Sequence, residues 1–407
     1  MKRKLLAILV IALSTAMMAQ WPEKNGDYSI LPDDITDLYG YEMITHTNGD
    51  TYFVYDSPQE GGIRTYLQIL DKDGRKKFPE PLLISAERTR SWIMINQRLF
   101  VDRDGNALIS VSDCRNAPLN APAKTKVSPI ENYARGIVAG GNRSLNYSIY
   151  KVAPDGTQLW GDKGIDLDEG HSYEVQAKIN MIQLEDGSYV FAWMKTREEG
   201  AAMAIQLQRV SSDGTFLWEN VQLADDVTPY QYPYLLNAGN NQVILVYAKG
   251  TNRDIMVRKI DFEGTPVWSE DVRVYRGGFP DIPLQIIVKA YPDPKGGVFV
   301  TWYDDRLFTN IESAYTSYVT PDGRLGYTAG EEGQKIGYAG FRSFASNLVY
   351  DTANDCAYVV WRETTLTQNF QRLMGQKLSM TGELMWGGEG VEIQPWAPAS
   401  IGYYSVR

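Results

Sequence analysis

Apolar residues in this chain come in short runs rich in β-branched and aromatic side chains, broken every few positions by Asp-Gly or Asn-Gly-like pairs. Nowhere do they hold a period of 3.6, so helices are not expected. One stretch shows the pattern whole: an apolar run at 178–184, the turn Glu185-Asp186-Gly187, runs at 189–194 and 204–210, the turn Ser212-Asp213-Gly214, and a last run at 218–223. Runs of this length between such turn pairs predict four antiparallel strands joined by hairpins.

The same unit recurs. Turn glycines stand at Gly74, Gly156, Gly214, Gly264, Gly323 and Gly382, and four residues after each comes a ring: Phe78, Trp160, Trp218, Trp268, Tyr327 and Trp386. The gaps between the glycines are 82, 58, 50, 59 and 59 residues, so the period is that of a modular fold. Trp193, Trp302 and Trp361 each lie 21 residues before their glycine, with Tyr55 and Tyr247 in the same role. Six residues before those rings sits a turn residue, Gly49, Gly187, Asn241, Gly296 or Asp355, and Gly105 precedes Val111 at the same spacing.

A chain of 407 residues exceeds what one core holds, and radial repetition of four-stranded sheets leaves few exposed edges. The expected fold is all-β, a β-propeller of four-stranded blades, six by the repeat count. Seven is the alternative, because 28–31 and 401–406 read as orphan strands that could build a composite blade. After a leader at 1–19, one domain over 20–407 would hold units at about 41–85, 97–167, 178–224, 233–275, 286–337 and 346–393. An insert rich in Pro, Ala, Asn and Gly at about 115–143 reads as a protruding loop of the second unit.

The fifth unit reads Gly296-Gly297-Val298-Phe299-Val300-Thr301-Trp302-Tyr303-Asp304-Asp305-Arg306, then Asp322-Gly323, and the sixth adds Gly375, Gly382, Trp386 and Gly390-Val391. Over about residues 40–395 this resembles the secreted propeller-like repeat proteins of Gram-negative bacteria that use type IX secretion, whose units run GG-x-x-V-x-W-x-D-x-R … Q-R … D-G-x-x-x-W-x-x-x-G. The resemblance implies architecture and an envelope or extracellular setting; it implies no common activity. Departures are clear: the third unit has Lys195 and Arg197, the sixth Arg362 and Glu363, and no sorting domain follows the last unit, so periplasmic retention or another export route is expected. A truncated form of a longer protein is the further alternative.

The first residues fit that setting. Lys2, Arg3 and Lys4 precede an apolar stretch from Leu5 to Leu13 and small residues to Ala19, a secretory leader cleaved after Ala19 or, alternatively, after Ala16. The stretch is too short to span a bilayer, so no transmembrane segment is expected after cleavage. A net charge of −10 without a basic run excludes nucleic acid as a partner. Cys114 and Cys356 fall in different units, and spacing does not decide whether they pair.

Catalytic groups are scarce. His46 and His171 are the two histidines, there is no Cys-x-x-Cys pair, and no catalytic residue is assigned. Carboxylates that could serve are Asp225, Asp226, Asp271, Asp281, Asp304 and Glu312, but none forms an evident pair of the kind glycosidases use. The turn 212–218 partly resembles the Asp-box of sialidase propellers, itself a structural turn. No cofactor is expected; structural calcium is the alternative at Asp71/Asp73, Asp102/Asp104 or Asp293, which read first as turns.

The connections between units carry the more unusual chemistry: Arg88, Arg90 and Trp92; His171 and Tyr173; Tyr230, Tyr232 and Tyr234; Tyr275, Arg276, Phe279 and Asp281; Tyr338, Phe341 and Arg342; Trp396. Rings offer rigid area and guanidinium directed hydrogen bonds, so this set suits a peptide or glycan ligand. The leading expectation is a non-catalytic binding or scaffolding propeller of the bacterial envelope whose partner is an envelope protein, peptide or glycan. The alternative is a carbohydrate-active hydrolase using channel-facing carboxylates.

Overall fold

The computed structural model describes residues 40–59, 62–89, 99–113, 146–167, 179–195, 201–219, 221–277, 288–306, 311–337 and 340–398. The leader, both orphan strands and the insert lie outside them. Among the described residues there is no α-helix, only a single 3₁₀ turn at Gly330–Glu332, and no helix long and apolar enough to cross a membrane.

Twenty-four strands form six four-stranded antiparallel groups, each a meander in chain order. Sheet 1 holds Gly40–Thr45, Thr51–Gln59, Gly62–Leu70 and Leu82–Thr89; sheet 2 holds Leu99–Val101, Ala107–Asp113, Asn146–Val152 and Ile165–Asp166. The bridge Thr89↔Asp113 joins these two. Sheet 3 comprises Asn180–Gln183, Tyr189–Lys195, Ala204–Val210 and Val221–Leu223, and sheet 4 comprises Tyr230–Gly239, Gln242–Lys249, Asp254–Ile260 and Val272–Tyr275. Sheet 5 is Lys289–Pro292, Val298–Asp304, Ser313–Val319 and Gln334–Lys335, and sheet 6 is Arg342–Asp351, Cys356–Thr364, Gln371–Ser379 and Val391–Ala397. Contacts divide the chain into two compact units, residues 1–94 with 98–170 and residues 171–407 with 95–97. Sheets 1 and 2 belong to the first and sheets 3 to 6 to the second.

The repeated turn residues fix this geometry. Glycines 74, 156, 214, 264, 323 and 382 have φ between 78° and 94°, and the first-hairpin positions 49, 105, 187, 241, 296 and 355 are all at positive φ as well. Asn241 and Asp355 tolerate that region better than other side-chain-bearing residues. The ten glycine hairpins close alike: Gly74 N–H donates to Asp71 O at 2.9 Å, and Asp71 N–H to Arg75 O at 2.8 Å, a tight turn followed by a left-handed residue. A second signal lies three residues before the glycine. There Asp71, Ser211, Asp261, Thr320 and Ser379 accept the backbone N–H four positions on. Sheet 2 has Ala153 at that place, and Asp155 accepts the Thr157 N–H instead. Asp102 caps the first hairpin of sheet 2 in the same way, and Asp293 caps that of sheet 5 by accepting the N–H two positions on.

Packing follows strand alternation. In the first unit, Tyr52, Val54, Leu67 and Ile69 of sheet 1 bury against Ile109, Val111 and Tyr150 of sheet 2. In the second, Val190, Ala192 and Leu207 of sheet 3 meet Leu235, Leu245 and Tyr247; Val246 and Val257 meet Val300 and Trp302; Phe299 and Tyr318 meet Leu348, Val359 and Trp361. In sheets 1, 3, 4 and 5 the ring after the second turn reaches the next sheet. Phe78 covers Gly156, Trp218 covers Gly264, Trp268 covers Gly323 and Tyr327 covers Gly382, so near that a Cβ at Gly323 would stand 2.7 Å from the indole. Two of the rings also donate across the gap, Trp218 Nε1 to Phe262 O at 2.8 Å and Trp268 Nε1 to Pro321 O at 3.1 Å. Trp386, the equivalent ring of sheet 6, lies 5.5 Å from Tyr358 and stays 41 % exposed. The fourth strand of sheet 3 starts at Val221 rather than at Trp218 because Trp218 turns out of the ladder to make that contact.

Candidate functional site

In every sheet both left-handed turns lie at one end; the second strand ends and the third begins at the other, here called the loop end. Three similar clusters stand there in the second unit. In sheet 5, Trp302 donates its indole N–H to Asp304 Oδ2 at 2.9 Å, and Arg306 grips the same carboxylate at 2.8 and 2.6 Å. The guanidinium lies 3.7 Å from the Tyr315 ring and 4.6 Å from that of Tyr275, and also meets Glu332 at 3.1 Å. Burial works against the charged guanidinium of Arg306, but the Asp304 hydrogen bonds and charge prevail and its pKa is raised.

Sheet 6 repeats the arrangement with different spacing: Trp361 donates to Glu363 at 3.0 Å, Arg372 to the same carboxylate at 2.8 Å, and the guanidinium lies near Phe341 and Trp396 at 5.2 and 4.9 Å. In sheet 4, the Tyr247 hydroxyl donates to Asp271, which Arg258 holds at 2.7 and 2.9 Å. Burial, then the Asp271 charge, raises the Tyr247 pKa. The carboxylates of Asp271, Asp304 and Glu363 are thus engaged by an arginine and a ring donor together, an arrangement that braces the sheet edge. Asp271 and Asp304, two of the sequence candidates for acid–base work, belong to this bracing.

The other candidates are spread along the loop end. Tyr230 stacks on Tyr247 at 5.9 Å with Lys249 5.5 Å from its ring. Tyr232 has φ 55° and donates its backbone N–H to Met194 Sδ at 2.9 Å, with Arg253 over its ring at 5.9 Å. Arg276 is exposed, 3.9 Å from Glu331, itself bound by Arg273 at 2.9 Å. Trp396 packs on Phe341 at 4.9 Å. Asp225 is a turn cap, accepting the N–H groups of Val227 and Thr228. Arg88 lies on the last strand of sheet 1, and Arg90, Trp92, His171, Tyr173, Phe279, Asp281 and Tyr338 lie outside the described residues, as does Cys114. Cys356 is a buried free thiol.

Between sheets 5 and 6 the loop end has a different character. Arg342 and Glu312 stand 3.3 Å apart, and Ser343 N–H donates to Glu312 O at 2.8 Å. Tyr303 meets Phe344 edge-on at 5.1 Å, and Arg362 lies 5.6 Å from the Phe344 ring. Burial first, then the Glu312 charge, raises the Tyr303 pKa, with Arg362 opposing. Ser343 Oγ and Thr364 Oγ1 are buried without a hydrogen bond, and the buried Oε2 of Glu312 has the Arg342 ion pair. A buried polar group without a partner is a candidate for a ligand or an ordered water. The backbone adds a cue: pairing slips between Phe344 and Asn347, a bulge of the kind that re-aims side chains beside binding sites. Sequence reading named Arg342 and Glu312 of this cluster. It missed Tyr303, Phe344 and Arg362, whose one visible signal was polar and aromatic residues flanking the repeat tryptophans.

Among the described residues no three His, Cys, Asp or Glu side chains come together as a metal set. No family model and no curated protein matches the chain. Similar solved structures include the polysaccharide lyase Uly1 (10 % identity, TM-score 0.48, 94 % of this chain and 86 % of that one). They also include the α-L-arabinanase of Penicillium chrysogenum complexed with arabinobiose (12 %, 0.41, 86 % and 96 %) and the endo-arabinase of Bacteroides thetaiotaomicron (10 %, 0.34, 92 % and 99 %). Likeness at this level assigns neither substrate nor activity to the present chain.

Proposed function

We propose that this chain is an exported repeat protein that recognises a glycan at the loop end of its sheets. The observation that carries the reading is the cluster between sheets 5 and 6, where Tyr303 and Phe344 offer ring edges and faces beside Arg342, Arg362, Glu312 and two unmet hydroxyls. Hydroxyl groups that must both donate and accept suit a ligand that is itself covered in hydroxyls, and rings beside them suit the apolar faces of sugars. The same proposal takes the six sheets as blades of one propeller, with seven the alternative, and takes the leader and repeat pattern as marks of a Gram-negative envelope protein.

Binding without turnover is the form proposed, and what supports it is that the carboxylates of Asp271, Asp304 and Glu363 are bound by arginine. Hydrolysis is the second reading, and Glu312 is the observation in its favour, a half-buried carboxylate whose Oε2 is withdrawn from water beside Arg342 at 3.3 Å. The sugar-active enzymes named above set the panel to try first: arabinan and acidic polysaccharide fragments alongside unrelated oligosaccharides. Wild type should retain one class on the panel and release no reducing sugar, and Arg342→Gln should weaken retention about tenfold, the value of one charge-assisted hydrogen bond. Release of reducing sugar that disappears in Glu312→Gln, Asp226→Asn or Asp281→Asn would establish the hydrolase instead.

A further inference from the structure

The second strands of sheets 3, 4 and 5 are buried on both faces along their middles. That of sheet 6 is not. In Cys356–Thr364 burial alternates: Ala357, Val359 and Trp361 are buried in the core shared with sheet 5, while Tyr358 and Val360 on the other face are partly exposed. The apolar surface continues across that face. Gly375 pairs with Val360, and a Cβ on it would meet Ile393 at 2.9 Å and Trp386 at 3.7 Å, so both side chains close over one point of the sheet. Trp386 also lies 5.5 Å from Tyr358. With Met385 and Val391 these two form a patch whose members are 41 to 54 % exposed. A contiguous patch of large apolar side chains left at the surface marks an interaction site.

The counterparts of Trp386 show what covers such a ring. Phe78, Trp218, Trp268 and Tyr327 each lie against the left-handed turn glycine of a neighbouring sheet. Charge then narrows the choice of sheet. Lys377, across the ladder from Tyr358, has Asp351 within its field. Glu383 and Glu389 lie close to Met385 and Trp386 in the chain, are exposed, and make no ion pair among the described residues. The surplus on this face is negative. A second copy would bring the same carboxylates and a further net charge of −10, so like charges oppose its docking here.

We propose that the open face of sheet 6 docks a β-sheet protein partner, which lays a glycine hairpin on Trp386 and sets lysine or arginine against Glu383 and Glu389. This surface is separate from the loop-end cluster and does not depend on the glycan reading.

The probe is a cyclic hairpin peptide of alternating valine and lysine closed by Asn-Gly turns, with a glutamate-for-lysine version as control, both titrated by calorimetry. Wild type should bind the lysine hairpin at least about tenfold more tightly than the glutamate hairpin, since like charges brought face to face are penalised. Trp386→Ala should weaken that binding about thirtyfold, the mark of an aromatic anchor, and Ile393→Ser should weaken it too. Replacing Glu383 and Glu389 together by Gln should bring the two hairpins level. Near-ultraviolet circular dichroism verifies the fold of each variant. No binding, equal binding of both hairpins by wild type, or undiminished binding by folded Trp386→Ala and Ile393→Ser overturns the proposal. Light scattering and acrylamide quenching test the other occupants. A wild-type dimer that falls to monomer in Ile393→Ser gives the face to a second copy, and quenching left unchanged by Trp386→Phe shows the ring covered within the chain itself; either result overturns the proposal.

Discussion

Trp302 and Asp304 share one face of one strand, and the indole N–H of the first holds the carboxylate of the second where Arg306 can take both its oxygens. Trp361 and Glu363 stand in the same relation in sheet 6, with the arginine supplied from the next strand. A ring, a carboxylate two residues on and a guanidinium form one bracing device that different units assemble from different sequence positions.

Removing the carboxylate from this device should be expensive. Asp304 is 2 % exposed and Arg306 largely buried, so Asp304→Asn leaves the guanidinium with the exposed Glu332 as its one remaining acidic partner. The expected loss is about 3 kcal/mol, typical of breaking one side of a buried pair. Urea unfolding followed by tryptophan fluorescence reads it; a loss under about 1 kcal/mol would class the pair with exposed surface ion pairs.

The turn glycines should divide into two grades. At Gly187, φ is 87° and nothing stands near a new Cβ, so Gly187→Ala should cost about 1 kcal/mol, the strain of the left-handed region. At Gly323, φ is 80° and the Trp268 ring is in the way, so Gly323→Ala should cost at least about 1 kcal/mol more. A double-mutant cycle with Trp268→Ala checks the cause: the extra cost should disappear when the ring is gone.

Acid should strip one ion pair in a readable way. Burial acts to raise the Asp186 carboxyl, but donation from Ser188 and the nearby Arg209 outweigh it and the pKa falls below the usual aspartate range. A depressed carboxylate gives stability that is complete above its unfolded pKa, about 3.9, and fades as pH drops through the lower folded value. Wild type should therefore exceed Asp186→Asn in stability at neutral pH, and the gap should narrow below about pH 4. A gap that is constant from pH 7 to pH 2.5 would remove the titration of Asp186 from the account.

Cys356 is 2 % exposed. In a Cys114→Ser background an aromatic disulfide reagent should leave it unlabelled in native protein and label it fully in urea, since reaction needs an accessible thiolate. Rapid labelling without denaturant would place the thiol at the surface.

Architecture was legible because it is written locally and repeated. Gly74 and its five counterparts carry a backbone requirement that no distant residue can alter, and Phe78, Trp218, Trp268 and Tyr327 repeat at fixed distance from it. The cap three positions earlier went unread because Asp71, Ser211 and Thr320 differ in name while doing one job. Boundaries such as Val221 depended on where Trp218 turned, which only the neighbouring sheet decides. The candidate site was less legible for a related reason. Tyr303, Glu312, Arg342 and Arg362 come from two sheets, and a pairing slip in the strand after Arg342 sets how they face each other.

The capped glycine hairpins have a consequence for how such a chain can change. Both hairpins of each sheet are pinned at one end by backbone angles and caps, so length variation there would break a closed turn. Ala107–Asp113 ends and Asn146–Val152 begins on the side those hairpins do not occupy, and the sequence between these second and third strands of sheet 2 is long. A frame of this kind acts like a handle with an interchangeable head: descendants can lengthen, shorten or recharge one rim and acquire new ligands while the strands that carry it stay the same.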